Sequence, residues 1–346
     1  MAIVADEQLP LQRVYHWERE LGHHNWLNQP MGGVIVREYS WSQALGEARR
    51  MAAYLKAQGY EPGSRVGILS KNCAWWIMSD LAIWMAGYVS VPLYPTLAHT
   101  TIRQILEHSE CRACFIGKLD GWEAMRPGVP DSLHCIAYPL SPQNDYPTWD
   151  AIVARTEPVP GSPIRTGGEI ATIVYTSGTT GMPKGVVHTF ENIGWAAKAL
   201  HERVKGIGLD PGPEDRMISY LPLAHVAERW VVESASFNTG FRIFFAESLD
   251  TFAADLQRAR PTLFVSVPRL WVKFQQGVFA KAPKQKLDRL FRIPFLGRMV
   301  KKKILTQLGF DTVRFAGGGA APMPGSLIEW YGKLGLELLE GYGMSE

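Results

Sequence analysis

The chain has 346 residues, 46% of them apolar and 20% charged. These proportions bury a sizeable core in one large or two smaller domains and exclude an intrinsically disordered chain. Thirty-six basic residues against 33 acidic ones leave a net charge of +3, too small to argue for a nucleic-acid partner.

The start, Met1 to Glu7, has neither the basic opening nor the long apolar stretch of a secretory signal. Ser40 followed by Gln43 is a capping-box pattern. Trp41, Leu45, Ala48, Met51, Ala52 and Leu55 fall on one face of the helix it opens, and Gly59 can stop that helix. Residues 65–70 read as a strand, 75–86 as a helix and 88–93 as a second strand. This is a βαβ unit, so a parallel sheet with helices on its faces is expected. The stretch 74–91 is the most membrane-like, but Asp80 near its middle and Pro92 and Pro95 beyond it fit a buried helix running into a strand. A short helix over 100–108 and a strand over 113–116 continue the alternation, so the fold class expected is α/β, doubly wound and mostly parallel. Cys111 and Cys114 have metal-like spacing, but there is no second cysteine pair and the segment leads into an apolar strand, as structural cysteines do. With Cys73 and Cys135 they are scattered, which suits a reducing cytoplasm.

Between 121 and 168 apolar periodicity weakens and eight prolines run from Pro127 to Pro163, which predicts a surface excursion between two halves, about 1–168 and 169–346. The alternation resumes with a β-branched run over 170–175, a strand buried on both faces. After it come Thr176, Ser177, Gly178, Thr179, Thr180 and Gly181, then Met182, Pro183 and Lys184. Glycines let backbone N–H groups close on an anion, hydroxyls add donors, and Lys184 brings a positive charge to outer phosphates. Pro183 before Lys184 and Gly185 after it exclude the Walker spacing. A helix is expected over 191–204, with strands near 217–220 and 241–245. A ligand of such a sheet lies beyond the carboxyl ends of its strands.

Tyr175 to Val186, twelve contiguous residues, closely resembles the phosphate loop of the adenylate-forming (AMP-binding) superfamily: acyl-CoA synthetases, peptide-synthetase adenylation domains and luciferases. The resemblance recurs in the family's order at Tyr220 to Arg229, at Arg314 to Pro322 and at Leu339 to Glu346, and 260–269 is also family-like. His225 and its neighbours, with the run Gly318, Gly319 and Ala320, look like the long-chain fatty acyl-CoA synthetase branch. The resemblance implies the large N-terminal domain of such enzymes, here incomplete. The substrates it implies are a fatty acid, ATP with Mg²⁺, and CoA. Lys184, His225 and Glu346 carry the catalytic expectation. Thr176 to Gly181, Gly318, Gly319, Ala320, Glu340, Gly341, Tyr342, Gly343, Met344 and Ser345 would line the nucleotide site, with the Tyr342 ring on adenine and the Ser345 hydroxyl at the α-phosphate. Ser345 stands where threonine is commoner, which keeps the hydroxyl. Thr176 and Glu346 would meet Mg²⁺; His225, Trp230, Gly318 and Gly319 would meet the acyl substrate.

His225 either orients the carboxylate or gates the acyl tunnel, or is a helix-start histidine satisfied by backbone. Trp230 lies one residue later than the family's tryptophan gate, and Phe190 occupies a position where the family often has histidine, so no role passes to His188. The glycines after Arg314 let backbone lie flat against a planar group, or mark a helix-opening turn. Residues 281–303 hold nine basic side chains against one acid, Asp288, with Leu287, Leu290, Phe291, Phe295, Leu296 and Met299 interleaved. That is the pattern of a contact with an anionic membrane surface through which a fatty acid is collected, or of a solvated face. In the family a ribose-binding aspartate, a hinge and a small C-terminal domain with a catalytic lysine follow the last motif. The expectation is therefore the first part of a longer enzyme, with weak or no adenylation alone. Two further readings are an adenylating domain that loads a carrier protein, such as a fatty acyl-AMP ligase, and a non-catalytic nucleotide- or lipid-binding module.

Overall fold

The computed structural model describes residues 4–176 and 183–345. Its strands are β1 (Asn25–Pro30), β2 (Val36–Ser40), β3 (Arg65–Leu69), β4 (Val89–Leu93), β5 (Cys111–Ile116), β6 (His134–Ala137) and β7 (Ile170–Thr176). They continue as β8 (Lys184–Thr189), β9 (Arg216–Ser219), β10 (Arg242–Phe245), β11 (Leu263–Ser266), β12 (Phe315–Gly318) and β13 (Leu338–Glu340). One sheet has the order β6-β5-β3-β4-β7-β8, the other β13-β12-β11-β9-β10-β1-β2. Every neighbouring pair is parallel except the hairpins β1/β2 and β7/β8. The expected α/β architecture of mostly parallel sheets is therefore present.

Local signals explain the first layer. The Ser40–Gln43 capping box forms with both reciprocal hydrogen bonds and opens the helix Trp41–Ala57. The helix Ala74–Ala86 crosses over between parallel β3 and β4, and every one of its residues is buried. That burial accounts for its membrane-like composition: it is covered by protein on all sides. Among the described residues no helix is long and apolar enough to cross a membrane.

Two expectations need correction. The proline-rich stretch 121–168 is more than a surface excursion, because it supplies β6 to the sheet edge beside β5 and a helix, Trp149–Arg155, whose Trp149 is fully buried. Four-residue and seven-residue elements are too short to show periodicity between prolines. The sheets also do not divide at residue 168. β1 and β2 sit at the edge of the sheet otherwise made of β9 to β13, while β7 pairs with β4 through Ser90 and Thr172 in the other sheet.

The seven-stranded sheet separates two apolar clusters by simple alternation. On β11, Leu263 joins the large core with Met217, Phe241 and Ile243, and Val265 packs against that core. Phe264 points the other way, into a cluster with Trp271, Phe310, Leu287 and Ile304. Leu287 and Ile304 belong to the helices Lys284–Phe291 and Leu296–Leu308. The basic segment is therefore fixed on the outer side of this sheet.

Candidate active site at the carboxyl ends of the strands

The segments at the carboxyl ends of β7, β9, β11, β12 and β13 carry the motifs singled out in the sequence. β12 and β13 pair with Gly317 opposite Leu339 and Gly318 opposite Glu340, and Gly341 N–H extends the ladder to the Gly318 carbonyl at 2.8 Å. A side chain at Gly319 would place its Cβ 2.9 Å from the Gly341 carbonyl oxygen. Glycine is thus required by the approach of one backbone to another. From behind, the Trp271 indole donates to the Gly317 carbonyl at 3.1 Å, and the Tyr331 hydroxyl donates to the Trp271 carbonyl at 2.8 Å. Ala320 turns the chain at φ 68°, and the Glu340 carboxylate accepts from Met323 N–H at 2.7 Å. Glu340 therefore shapes the turn after β12. Tyr342 follows on the surface with 91% of its side chain exposed, a ring free to stack on a flat ligand.

A second group fixes the loop that bears His225. Asn72, after β3, donates to the Leu221 carbonyl at 2.6 Å and accepts from Leu223 N–H at 2.9 Å. Glu228 accepts from the Ser219 hydroxyl and from Tyr220 N–H, each at 2.9 Å. Asn72 also reaches Glu228 at 3.3 Å, so the carboxyl ends of the two sheets are tied together beneath the site. Burial pushes the Glu228 carboxyl up to about 8, against the pull of those donors. His225 caps the short helix Val226–Glu228: its Nδ1 accepts from Ala227 N–H at 3.1 Å. Burial holds its pKa below the usual histidine value, so the ring is neutral at pH 7. A neutral ring whose Nδ1 accepts carries its proton on Nε2. Of the readings left open by the sequence, the structure shows the helix-start histidine satisfied by backbone, and the other ring nitrogen remains a hydrogen-bond donor.

Trp230 lies on the π-helix Arg229–Ser234. A π turn carries one residue more than an α turn, so a one-residue displacement of an aromatic need not change the face it occupies. Its ring meets the His188 ring edge-on, with centroids 5.0 Å apart. His188, set aside in the sequence, stands on β8 four residues after Lys184, and its Nε2 is buried without a hydrogen-bond partner among the described residues. Burial first, and then the charge of Arg229, holds His188 below its ordinary pKa. Arg229 is buried with Asp80 at 2.9 Å and Glu233 at 3.5 Å. Burial and the neighbouring Asp80 drive Glu233 well above the carboxylate range. His188, Arg229, Trp230 and Glu233 surround a cavity of about 10 Å³, room for one water.

A cavity of about 300 Å³ opens beside Gly317, Gly318, Glu340 and Gly341. Its walls are apolar: Met217, Val231, Ala235, Phe241, Leu263, Val265 and Phe315 among them. It runs between the sheet and the helix Phe190–Gly206 toward Ile207 and Pro211. Of the residues expected to meet an acyl substrate, Gly318 lines this cavity, while His225, Trp230 and Gly319 are outside its lining. Trp230 faces the small cavity and its neighbour Val231 the large one. The pocket walls were not singled out in the sequence. Their signal was the alternation of Leu263 and Val265 against Phe264. Leu287 and Ile304 of the basic segment pack in the cluster on the other face of the sheet from this cavity.

Lys184 is exposed at the start of β8, opposite Thr176 at the end of β7. Ser177, Gly178, Thr179, Thr180, Gly181 and Glu346 lie outside the described residues. Among the described residues no group of three His, Cys, Asp or Glu side chains is placed to hold a metal. Mg²⁺ bound largely through water and phosphate oxygens needs only one or two protein oxygens, and the Thr176 hydroxyl at the strand end is of that kind.

A family model described as "AMP-binding enzyme" matches residues 28–346. A long-chain-fatty-acid–CoA ligase of Rattus norvegicus, ACSBG2, is 27% identical over 349 residues, covering 89% of this chain and 52% of that protein. The peroxisomal long chain acyl-CoA synthetase 7 of Arabidopsis thaliana is 30% identical over 363 residues, covering 90% of this chain and 49% of that protein. The chain thus spans about half the length of these relatives. Among solved structures, the A domain of a carboxylic acid reductase from Segniliparus rugosus, in complex with AMP and a co-purified carboxylic acid, aligns with a TM-score of 0.79 at 20% identity. That alignment covers 98% of this chain and 60% of the other.

Proposed function

The chain belongs to the AMP-binding enzyme family, and from that premise we propose that it is the adenylate-forming part of a long-chain fatty acid–CoA ligase. The observation that carries this reading is the apolar cavity of about 300 Å³ opening at the glycine strand ends, where Gly318, Glu340 and Gly341 border it. Relatives that bear the names of long-chain acyl-CoA ligases support the same substrate class.

In the reaction, a fatty carboxylate attacks the α-phosphorus of ATP and expels pyrophosphate; the thiol of CoA then attacks the acyl carbon of the mixed anhydride and expels AMP, leaving the thioester. No protein nucleophile is needed. The protein aligns the two reactants and spreads charge over the phosphates. The apolar cavity takes the acyl chain, which leaves the carboxylate at the glycine strand ends. His225 offers its Nε2–H to the carboxylate or to the phosphate it attacks. Tyr342 stacks on adenine, the Ser345 hydroxyl meets the α-phosphate, and Lys184 with the turn 176–181 draws the outer phosphates into line. Thr176 and Glu346 would hold Mg²⁺ through their side-chain oxygens, and the ion would supply charge neutralisation on the phosphates. Gly318, Gly319, Ala320, Gly343 and Met344 shape the wall against the nucleotide. The four free cysteines, three of them buried, support a reducing, cytoplasmic setting.

A non-hydrolysable dodecanoyl-adenylate mimic tests this directly. It is expected to raise the melting temperature of the purified chain, whereas dodecanoate alone and adenosine alone raise it little. Equal shifts from an acetyl and a dodecanoyl mimic would remove the long-chain reading.

A further inference from the structure

The apolar cavity has a second end. Gly318 and Glu340 line it at the last residues of β12 and β13, while Leu263 and Phe315 line it at the first residues of β11 and β12. A strand rises about 3.3 Å per residue, so the cavity follows the sheet for about 10 Å, from carboxyl ends to amino ends. Arg314, just before β12, donates to the Asp210 carbonyl at 3.0 Å, and this holds Pro211 at the amino edge. There the wall is made by Arg203, Ile207 and Pro211. Arg203 and Ile207 are exposed, Ile207 by 48%, so this end opens to solvent.

Among the described residues, every polar side chain at this mouth but one is already engaged. The Asn238 amide donates to Nδ1 of His201 at 3.1 Å, which leaves the proton on Nε2 to donate to Asp210 at 2.9 Å. Asp210 also meets Lys205 at 3.2 Å, so two partners offset its charge. The Thr239 hydroxyl donates to the Ala235 carbonyl at 2.8 Å. Arg203 has neither an ion pair nor a side-chain hydrogen bond among the described residues, although Lys198 on the same helix meets Glu202 at 3.9 Å. Its place in the last turn of that helix suits any cation, and its methylene stem covers apolar wall. Neither role uses the planar fork of the guanidinium, which matches a carboxylate. About ten chain carbons fill 300 Å³, so an acyl group activated at Gly318 brings its far end to Arg203.

We infer that this mouth receives the second carboxylate of a long-chain α,ω-dicarboxylic acid, with Arg203 pairing to it at the solvent edge. The inference rests on the acyl-pocket reading and names a substrate class within it. An open mouth with a free guanidinium accepts a charged chain end that a closed apolar cavity rejects.

Titration calorimetry of the full chain with three non-hydrolysable adenylate mimics tests it: acetyl, dodecanoyl, and dodecanoyl whose far end is a carboxylate. The two long mimics are expected to bind within about threefold of each other. A closed apolar cavity would favour the methyl end by about a hundredfold or more. Arg203→Glu is expected to shift their ratio about tenfold against the carboxylate-ended mimic, and Arg203→Lys by less than about threefold. Lys198→Glu makes the same charge change on the same helix outside the cavity wall, and is expected to leave the ratio unchanged. A dodecanoyl mimic that binds while its carboxylate-ended counterpart is rejected overturns this inference and leaves the acyl-pocket reading standing. So does a ratio that Arg203→Glu does not move, or that Lys198→Glu moves as far. A dodecanoyl mimic that binds no better than the acetyl one removes the acyl pocket and this inference together.

Discussion

Replacing Ala235 by leucine moves the point at which the acyl cavity fills. Ala235 is buried and its side chain lines the cavity of about 300 Å³. With about 30 Å³ for each chain-sized group, the cavity accepts about ten carbons. Each methylene that enters it strengthens binding by about 0.8 kcal/mol, roughly fourfold, until the space is used. Leucine adds three heavy atoms at the wall and so displaces about three chain carbons. Titration calorimetry with non-hydrolysable acyl-adenylate mimics of increasing length reads this as a break in the affinity series. The break is expected near ten carbons for the parent and near seven for Ala235→Leu, with the shortest mimics bound alike. A uniform loss at all lengths, or an unmoved break, would refute the assignment of this cavity to the acyl chain.

Three further outcomes are expected. Glu228→Gln should flatten part of the pH dependence of stability. With the folded carboxyl at about 8 against 4.5 unfolded, its contribution is complete below 4.5 and is lost as the pH rises toward 8; the loss is up to about 5 kcal/mol, seen by urea unfolding across pH. His225→Asn keeps an N-cap acceptor but removes the Nε2 donor. It should leave the melting temperature unchanged and weaken binding of the adenylate mimic about tenfold, and equal binding by both proteins would contradict that role. Gly319→Ala would press a methyl against the Gly341 carbonyl from 2.9 Å. It should cost about 1–3 kcal/mol in urea unfolding, since backbone has to move.

The parts legible in the sequence were those encoded locally. The Ser40–Gln43 cap, the crossover from β3 to β4 and the glycines that bring β12 against Gly341 all rest on neighbours in sequence or on a residue type with one physical use. What escaped was long-range. Nothing near Asn72 announces that its amide reaches Leu221, 149 residues on. His188 gains its place only because Trp230 folds against β8. β6 and the helix Trp149–Arg155 are too short to leave a periodic trace among prolines, and their stability comes from the sheet edge and from buried Trp149. The basic corner was visible as composition, but its position across the sheet from the cavity follows from the alternation of Leu263 and Phe264, which says nothing until the strand is in place.

The central claim is that Lys184 and Tyr342 grip the two ends of one ATP molecule. Calorimetric titration of the parent chain, Lys184→Ala and Tyr342→Ala with ATP and with AMP addresses it. The account predicts that Tyr342→Ala weakens both nucleotides alike through the lost stack, about 1–3 kcal/mol, while Lys184→Ala weakens ATP and spares AMP. ATP binding left intact in both variants would contradict it.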